Sequence, residues 1–267
     1  SAASDVYKRQ PVGCAPSRQC PSRSGCACSW SAAPCVPPAT ATETLTVQGS
    51  GKGTLSARLN QRFGIPIIDA GDELRWQISA HTDVGQQAKQ VIHEGRLMPD
   101  EIMMRLVGDK VLRMTGQDWI LDGFPRTFGQ ARLLHDALHD LDTPLTLVVN
   151  LRVPEEAILQ RILERWTHVP SGRVYNLSFN PPKREGLDDV TGEPLEKRDD
   201  DNPETFKKRI DNFHRVTEPM INLLREAPCP LQPDSPLLVD IGGETSDIIW
   251  PKLLDVIQQR FRHLQGV

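Results

Sequence analysis

The sequence predicts an α/β fold, a doubly wound parallel sheet with helices on both faces and two inserted lobes. Three observations carry the prediction. Residues 49–54 read GSGKGT, a glycine-rich turn that runs into helical spacing. Residues 145–151, LTLVVNL, are an almost unbroken apolar run, as a strand buried on both faces requires. Between and beyond these, short apolar strands alternate with amphipathic helical stretches, the pattern of a parallel sheet that binds ligands at the carboxyl ends of its strands.

In GSGKGT, successive backbone amides of Gly49, Ser50, Gly51 and Gly53 can curl around phosphate oxygens, and Lys52 adds a mobile charge. A helix opening at Thr54 directs its positive end at the same anion. The full phosphate-loop pattern also asks for glycine five positions before Gly51, where this chain has Thr46. The motif is therefore incomplete. So is the strand that should feed it. Leu45-Thr46-Val47-Gln48 is short and half polar, whereas a central strand should read as four to six apolar residues. The first strand is expected to be missing or degraded.

Residues 1–44 read unlike the rest. Ser, Pro, Cys, Arg and Ala dominate, and prolines at 11, 16, 21, 34, 37 and 38 forbid a sustained helix. We expect a disordered leader, an import segment or a non-native stretch. Five of the six cysteines lie there without paired CxxC spacing; only Cys229 lies beyond, so the body has no disulfide framework.

Downstream, Leu55, Leu59 and Phe63 give helical spacing closed by Gly64, and residues 65–68 make a brief strand. Asp72 is expected to cap a helix beginning at Ala70, a second helix covers 84–94, and Pro99 opens a third reaching Met114. Residues 119–121 are a buried strand delivering DGFPRT, and residues 130–138 form a helix. After the 145–151 strand, Pro154 starts a helix expected to carry Arg161 and Arg165. Residues 168–201, rich in Gly and Pro, read as an inserted mobile lobe. A long helix spans 203–225, a strand 237–241 and a closing helix 248–264.

The 267 residues are 38 % hydrophobic and 25 % charged, with a net charge of −4. That balance argues against non-specific nucleic-acid binding. No apolar run reaches membrane-spanning length, and no membrane partner is expected. Lys52, Arg75, Asp122, Arg126, Arg161, Arg165, Arg198 and Arg209 fall after strands or on inward-facing turns. Phosphoryl transfer needs such a set: it spreads negative charge over the moving group, and guanidinium forks hold phosphate oxygens bidentately. Asp122, ending a strand beside the phosphate loop, can hold magnesium directly or through water.

DGFPRT followed by Gln130 resembles the signature of the adenylate kinase family, the nucleoside monophosphate kinases. AGDELR, GRVYN, FNPPK, DDVTGEPL and RDDD fall in that family's order, and the likeness covers residues 49 to about 265. It is greatest to the long-lid GTP:AMP phosphotransferases of the mitochondrial matrix, on Trp166, GRVYN and IIWPK (248–252). The resemblance implies a P-loop NTPase-like core (45–68, 99–163, 202–267), an AMP-binding lobe (69–98) and a lid (164–201). It also implies Mg2+ with the nucleoside triphosphate, a monomer, and GTP as donor, with ATP the alternative and cytoplasm the alternative compartment.

Residue by residue, the resemblance assigns residues 49–54 and Arg165 to the triphosphate, with Lys52 toward the transferred group and Arg161, Val174 and Tyr175 beside the donor base. It assigns Arg75, Arg96, Leu97, Met98, Gly123, Phe124, Pro125, Arg126 and Gln130 to AMP, with Gln130 reading the adenine edge. Arg198 and Arg209 close over the phosphates. Ala70 stands where the family has Ser or Thr, which removes one hydroxyl contact to AMP worth about 1 kcal/mol. Where some members bind zinc through four lid cysteines, this chain has His168, Ser171, Asp188 and Thr191, and no lid metal is expected. The incomplete loop leaves open a second class of function, a nucleotide binder without turnover.

Overall fold

The computed structural model describes residues 41–45, 49–114, 116–198, 200–230 and 232–264. The expected leader up to residue 40, and the Thr46-Val47-Gln48 stretch, lie outside them.

The core is a five-stranded sheet, all of its pairings parallel: β1 (Ala41–Leu45), β2 (Ile67–Asp69), β3 (Trp119–Asp122), β4 (Leu145–Arg152) and a C-terminal strand (Leu238–Gly242). Naming the last strand β9 for its place in the chain, the spatial order is β2-β3-β1-β4-β9. The order reverses direction at β1, which creates the crevice where parallel sheets bind ligands.

One expectation is corrected here. The first strand is present, mid-sheet, with Thr42 beside both Ile120 and Leu147. It lies four residues earlier than the Leu45–Gln48 stretch proposed from hydrophobicity, and takes in residues 41–44 of the supposed leader. Parallel pairing to two apolar neighbours recruits ATETL as a strand despite its Thr, Glu and Thr, because tertiary pairing overrides weak local pattern.

Alternation along the strands divides the core into two layers. Trp119, Leu121 and Val148 face one side, and Ile120, Leu147, Val149 and Leu151 the other. The first side packs against α2 (Ala70–Ser79), α3 (Asp83–His93), α4 (Asp100–Arg113) and α5 (Phe128–Asp140). The second packs against α1 (Lys52–Phe63) and a closing helix, α9 (Ser246–Arg260). Side-chain caps set most helix starts: Thr82, Thr127 and Thr245 each accept from a backbone amide three residues on. For α2 the cap is Asp69, which accepts from the Asp72 amide, so Asp72 is a first-turn residue rather than the cap.

Three further expectations change. Arg165 is not on α6 (Glu155–Leu163) but opens β5 (Arg165–Thr167), which pairs antiparallel with β6 (Val174–Asn176) at the base of the inserted lobe. The long helix has its expected extent but not one geometry: α7 (Pro203–Asn212) passes through a π-helical turn (Phe213–Thr217) into α8 (Glu218–Arg225). Between that helix and the strand expected at 237–241, where the sequence reading placed no element, lies a hairpin, β7 (Pro228–Cys229) and β8 (Gln232–Pro236). Among the described residues, no helix is long and apolar enough to cross a membrane.

Candidate active site

A cleft of about 1610 Å³ runs along the carboxyl ends of the strands. It exceeds the ~300–1,000 Å³ of a pocket for one ligand. Its floor is the glycine turn. Gly49 and Gly51 both hold left-handed φ, 92° and 95°. A Cβ at Gly49 would lie 2.9 Å from Ile158 and Ile162, and one at Gly51 2.6 Å from the Ser246 hydroxyl. The backbone therefore approaches its neighbours too closely for any side chain, which leaves the turn's amides at the head of α1.

Lys52 follows, buried at the cleft floor, and burial lowers its pKa against the pull of Asp122. Asp122 ends β3 and is itself buried; Ser56 Oγ donates to its Oδ2 at 3.3 Å. Desolvation raises that carboxyl to about 6, opposed by Lys52. The chain then turns through Gly123 and a cis Phe124–Pro125 peptide to Arg126. Arg126 Nε donates to the Gly123 carbonyl at 2.8 Å, and its backbone N–H donates to Gln130 Oε1 at 2.7 Å. Burial, and next the charge of Arg209, lower the Arg126 pKa.

Two arginines enter from β5 and α7. Arg165 forks onto Asp201, with Nε 2.7 Å from Oδ2. Arg209 pairs with Asp200. Arg198 Nε and Arg209 Nη1 are buried donors without a partner among the described residues. Desolvation, with Arg75 and Arg165 nearby, lowers the Arg198 pKa to about 10. Cations gathered at one place, two of them with unfilled donors, suit an anionic ligand.

Nearly all the predicted site residues line this cleft: Gly49, Gly51, Lys52, Gly53, Thr54, Ala70, Arg75, Arg96, Leu97, Met98, Asp122, Gly123, Pro125, Arg126, Gln130, Arg161, Arg165, Val174, Tyr175, Arg198 and Arg209. Two do not. The Ser50 side chain is buried, and Phe124 belongs to the same buried core layer as Met98 and Leu121. Tyr175 contributes little more than its edge, because its hydroxyl donates to Asp188 inside the lobe. The sequence reading missed Phe179, whose ring lies 5.2 Å beneath the Arg161 guanidinium, and the partner carboxylates Asp69, Asp200 and Asp201. The run RDDD signalled the last two, but nothing in it says which arginine each would take.

In the lobe, His168, Ser171, Asp188 and Thr191 do converge. His168 Nδ1 lies 2.6 Å from Ser171 Oγ and its Nε2 2.7 Å from Glu193. Asp188 accepts from Arg173, Tyr175 and Thr191, and these hydrogen bonds, the one from Arg173 foremost, hold its carboxyl far below the usual range.

The family model described as Adenylate kinase matches residues 45–228. This chain belongs to the adenylate kinase family. A mitochondrial GTP:AMP phosphotransferase of Saccharomyces cerevisiae is 44 % identical over 222 residues, 81 % of this chain and 92 % of that protein. A protein of the same name from S. cerevisiae strain S288c is 44 % identical over 211 residues, 77 % of this chain and 90 % of its own length. For an adenylate kinase family member, a cleft too large for one ligand and ringed by cations is the expected meeting place of two nucleotides.

Proposed function

We propose that this enzyme transfers the γ-phosphoryl group of Mg2+-bound GTP to AMP, giving GDP and ADP reversibly, in the mitochondrial matrix. The observation that carries the reading is the convergence of Lys52, Arg126, Arg165, Arg198 and Arg209 on one cleft. The choice of GTP and of compartment draws on the names of the yeast relatives.

The amides of residues 49–54 hold the triphosphate, and the helix end of α1 adds its positive potential there. Arg161 on Phe179 offers a flat cationic face beside the donor base. Arg75 and Arg126 hold the AMP phosphate, whose oxygen attacks the γ-phosphorus while the bond to the β–γ bridging oxygen breaks. No side-chain nucleophile is needed. Lys52, Arg165, Arg198 and Arg209 neutralise charge that develops on the moving group, which is where most of the acceleration in such reactions arises. Arg165 and Arg209 are prepositioned on Asp201 and Asp200, carboxylates that stand in for phosphate until the nucleotides arrive.

Asp122 suits magnesium: its buried carboxylate lines the cleft beside Ser56 and is destabilised by desolvation, which a hard divalent cation relieves. When bound, the ion neutralises the phosphate oxygens of the donor. Closing of the lid (164–201) and AMP lobe (69–98) over the core excludes water, which would otherwise hydrolyse the triphosphate.

The test is a coupled assay with Mg·GTP or Mg·ATP as donor at saturating AMP. Diphosphate formed only when AMP is present supports the reading. Binding without turnover would point instead to an inactive nucleotide-binding protein.

A further inference from the structure

The helix that carries Arg209 into the cleft contains one π turn, Phe213–Thr217, in which the Glu218 amide donates to the Phe213 carbonyl. Such turns are rare, and they concentrate at functional sites. In an α-helix two residues five apart point about 140° away from each other. A π turn brings them onto one face. Here that pair is Asn212 and Thr217, and both side chains donate to backbone carbonyls of cleft segments. Asn212 Nδ2 reaches the Gly95 carbonyl at 3.0 Å, and Thr217 Oγ1 reaches the Arg126 carbonyl at 2.8 Å. Gly95 begins the 95–98 stretch that lines the cleft, and Arg126 ends the 123–126 stretch opposite. Arg126 is thus held at both backbone groups, its amide by Gln130 and its carbonyl by Thr217. Phe213, between the two donors, packs on the core, and Asn212, Phe213 and Thr217 all border the cleft.

We propose that the π turn is a positioning device for the acceptor nucleotide: Asn212 and Thr217 set the spacing between the two chain segments that hold AMP. The inference rests on the proposed activity, in which 95–98 and 123–126 form the acceptor side. Neither residue is catalytic. Each acts through a carbonyl whose loss of a donor lets one wall of the acceptor site move, while the glycine turn and the donor side keep their geometry. Arg209, three residues before Asn212 on the same helix, keeps its pairing with Asp200.

The experiment measures AMP affinity by calorimetry, and kcat and KM for each substrate, in the full chain and in Thr217→Val, Thr217→Ser and Asn212→Ala. Thr217→Val keeps shape and removes the donor; Thr217→Ser restores it. The expected result is a loss of AMP affinity of about five- to tenfold in Thr217→Val and Asn212→Ala. KM for GTP should change less than twofold, and Thr217→Ser should return AMP affinity to near the parent value. Unchanged AMP affinity, an equal rise in both KM values, or no rescue by serine would overturn the proposal. Should the parent protein bind AMP yet form no diphosphate, the proposed activity fails while the calorimetric comparison still decides the role of the π turn.

Discussion

Arg165 is locked onto Asp201 through a two-pronged ion pair, with both side chains nearly removed from solvent. The pair holds the arginine fork in the cleft in the position from which it meets phosphate, and the carboxylate is what an incoming phosphate must match. Removing one partner of such a buried pair leaves an uncompensated charge and costs about 3–5 kcal/mol. Asp201→Ala should therefore lower the melting temperature of the nucleotide-free protein. Adding GTP and AMP together should raise it by more in the variant than in the parent, because the phosphates supply the missing anion. Equal ligand-induced shifts, seen by differential scanning fluorimetry, would count against this role for Asp201.

The buried carboxyl of Asp122 makes a prediction about pH. Its pKa is raised by desolvation to about 6 in the folded protein, above the 3.8 of an ordinary Asp. A raised carboxyl binds its proton more tightly when folded, so its ionisation works against the fold. Its contribution to stability falls as pH rises from about 4 to about 6 and is constant above. Across that window the change is up to about 3 kcal/mol. Asp122→Asn should abolish this part of the profile and be the more stable protein at pH 7.5, while losing most of its turnover. A variant less stable than the parent above pH 6, measured by urea unfolding without nucleotide or magnesium, would contradict the burial argument.

His214 points the other way. It bridges Glu218 on α8 and Glu155 on α6, and those hydrogen bonds, Glu218 first, raise its pKa above 6.5. The stabilisation is fully present below pH 6.5 and is lost as pH rises through the higher folded value. The ring is half exposed, which limits the effect to a few tenths of a kcal/mol, on the order of an exposed ion pair. His214→Gln should match the parent above pH 8.5 and fall below it at pH 6. Parallel stability profiles for the two proteins would remove the bridge from the account.

Strand β1 is the weak member of the sheet. Its ATETL sequence lies between β3 and β4, a position that parallel sheets normally bury on both faces. Exchanging ATETL for an apolar, β-branched run such as VTVVL should raise stability by about 1 kcal/mol, because strand composition then agrees with a central place in a parallel sheet. Denaturant midpoints of the two proteins test this, and an unchanged or lower midpoint would mean that the polar composition of the strand costs the sheet nothing.

What the sequence disclosed, and what it hid, follows from range. Gly64 as a helix stop, Pro99 and Pro154 as helix starts, and the apolar run of β4 are local signals, and each falls within a residue or two of its place in the fold. The cations of the cleft were legible because phosphate chemistry restricts residue type. Strand β1 was not, since its pairing partners lie about 80 and 100 residues away and hydrophobicity alone pointed four residues downstream. The cap at Asp69 was misread because Asp72 is as plausible by composition, and only the strand ending at Asp69 decides between them. The π turn left no trace. Phe213 to Thr217 has ordinary helical composition, and its break becomes intelligible only through carbonyls at Gly95 and Arg126.

The central claim is that one cleft brings two phosphorylated nucleotides together on shared cations. Its most direct test is the stoichiometry of products from Mg·GTP and AMP, followed by chromatography. The account predicts GDP and ADP in equal amounts, with no GDP when AMP is withheld and loss of both products in Arg126→Lys. GDP released at the same rate with or without AMP would contradict it.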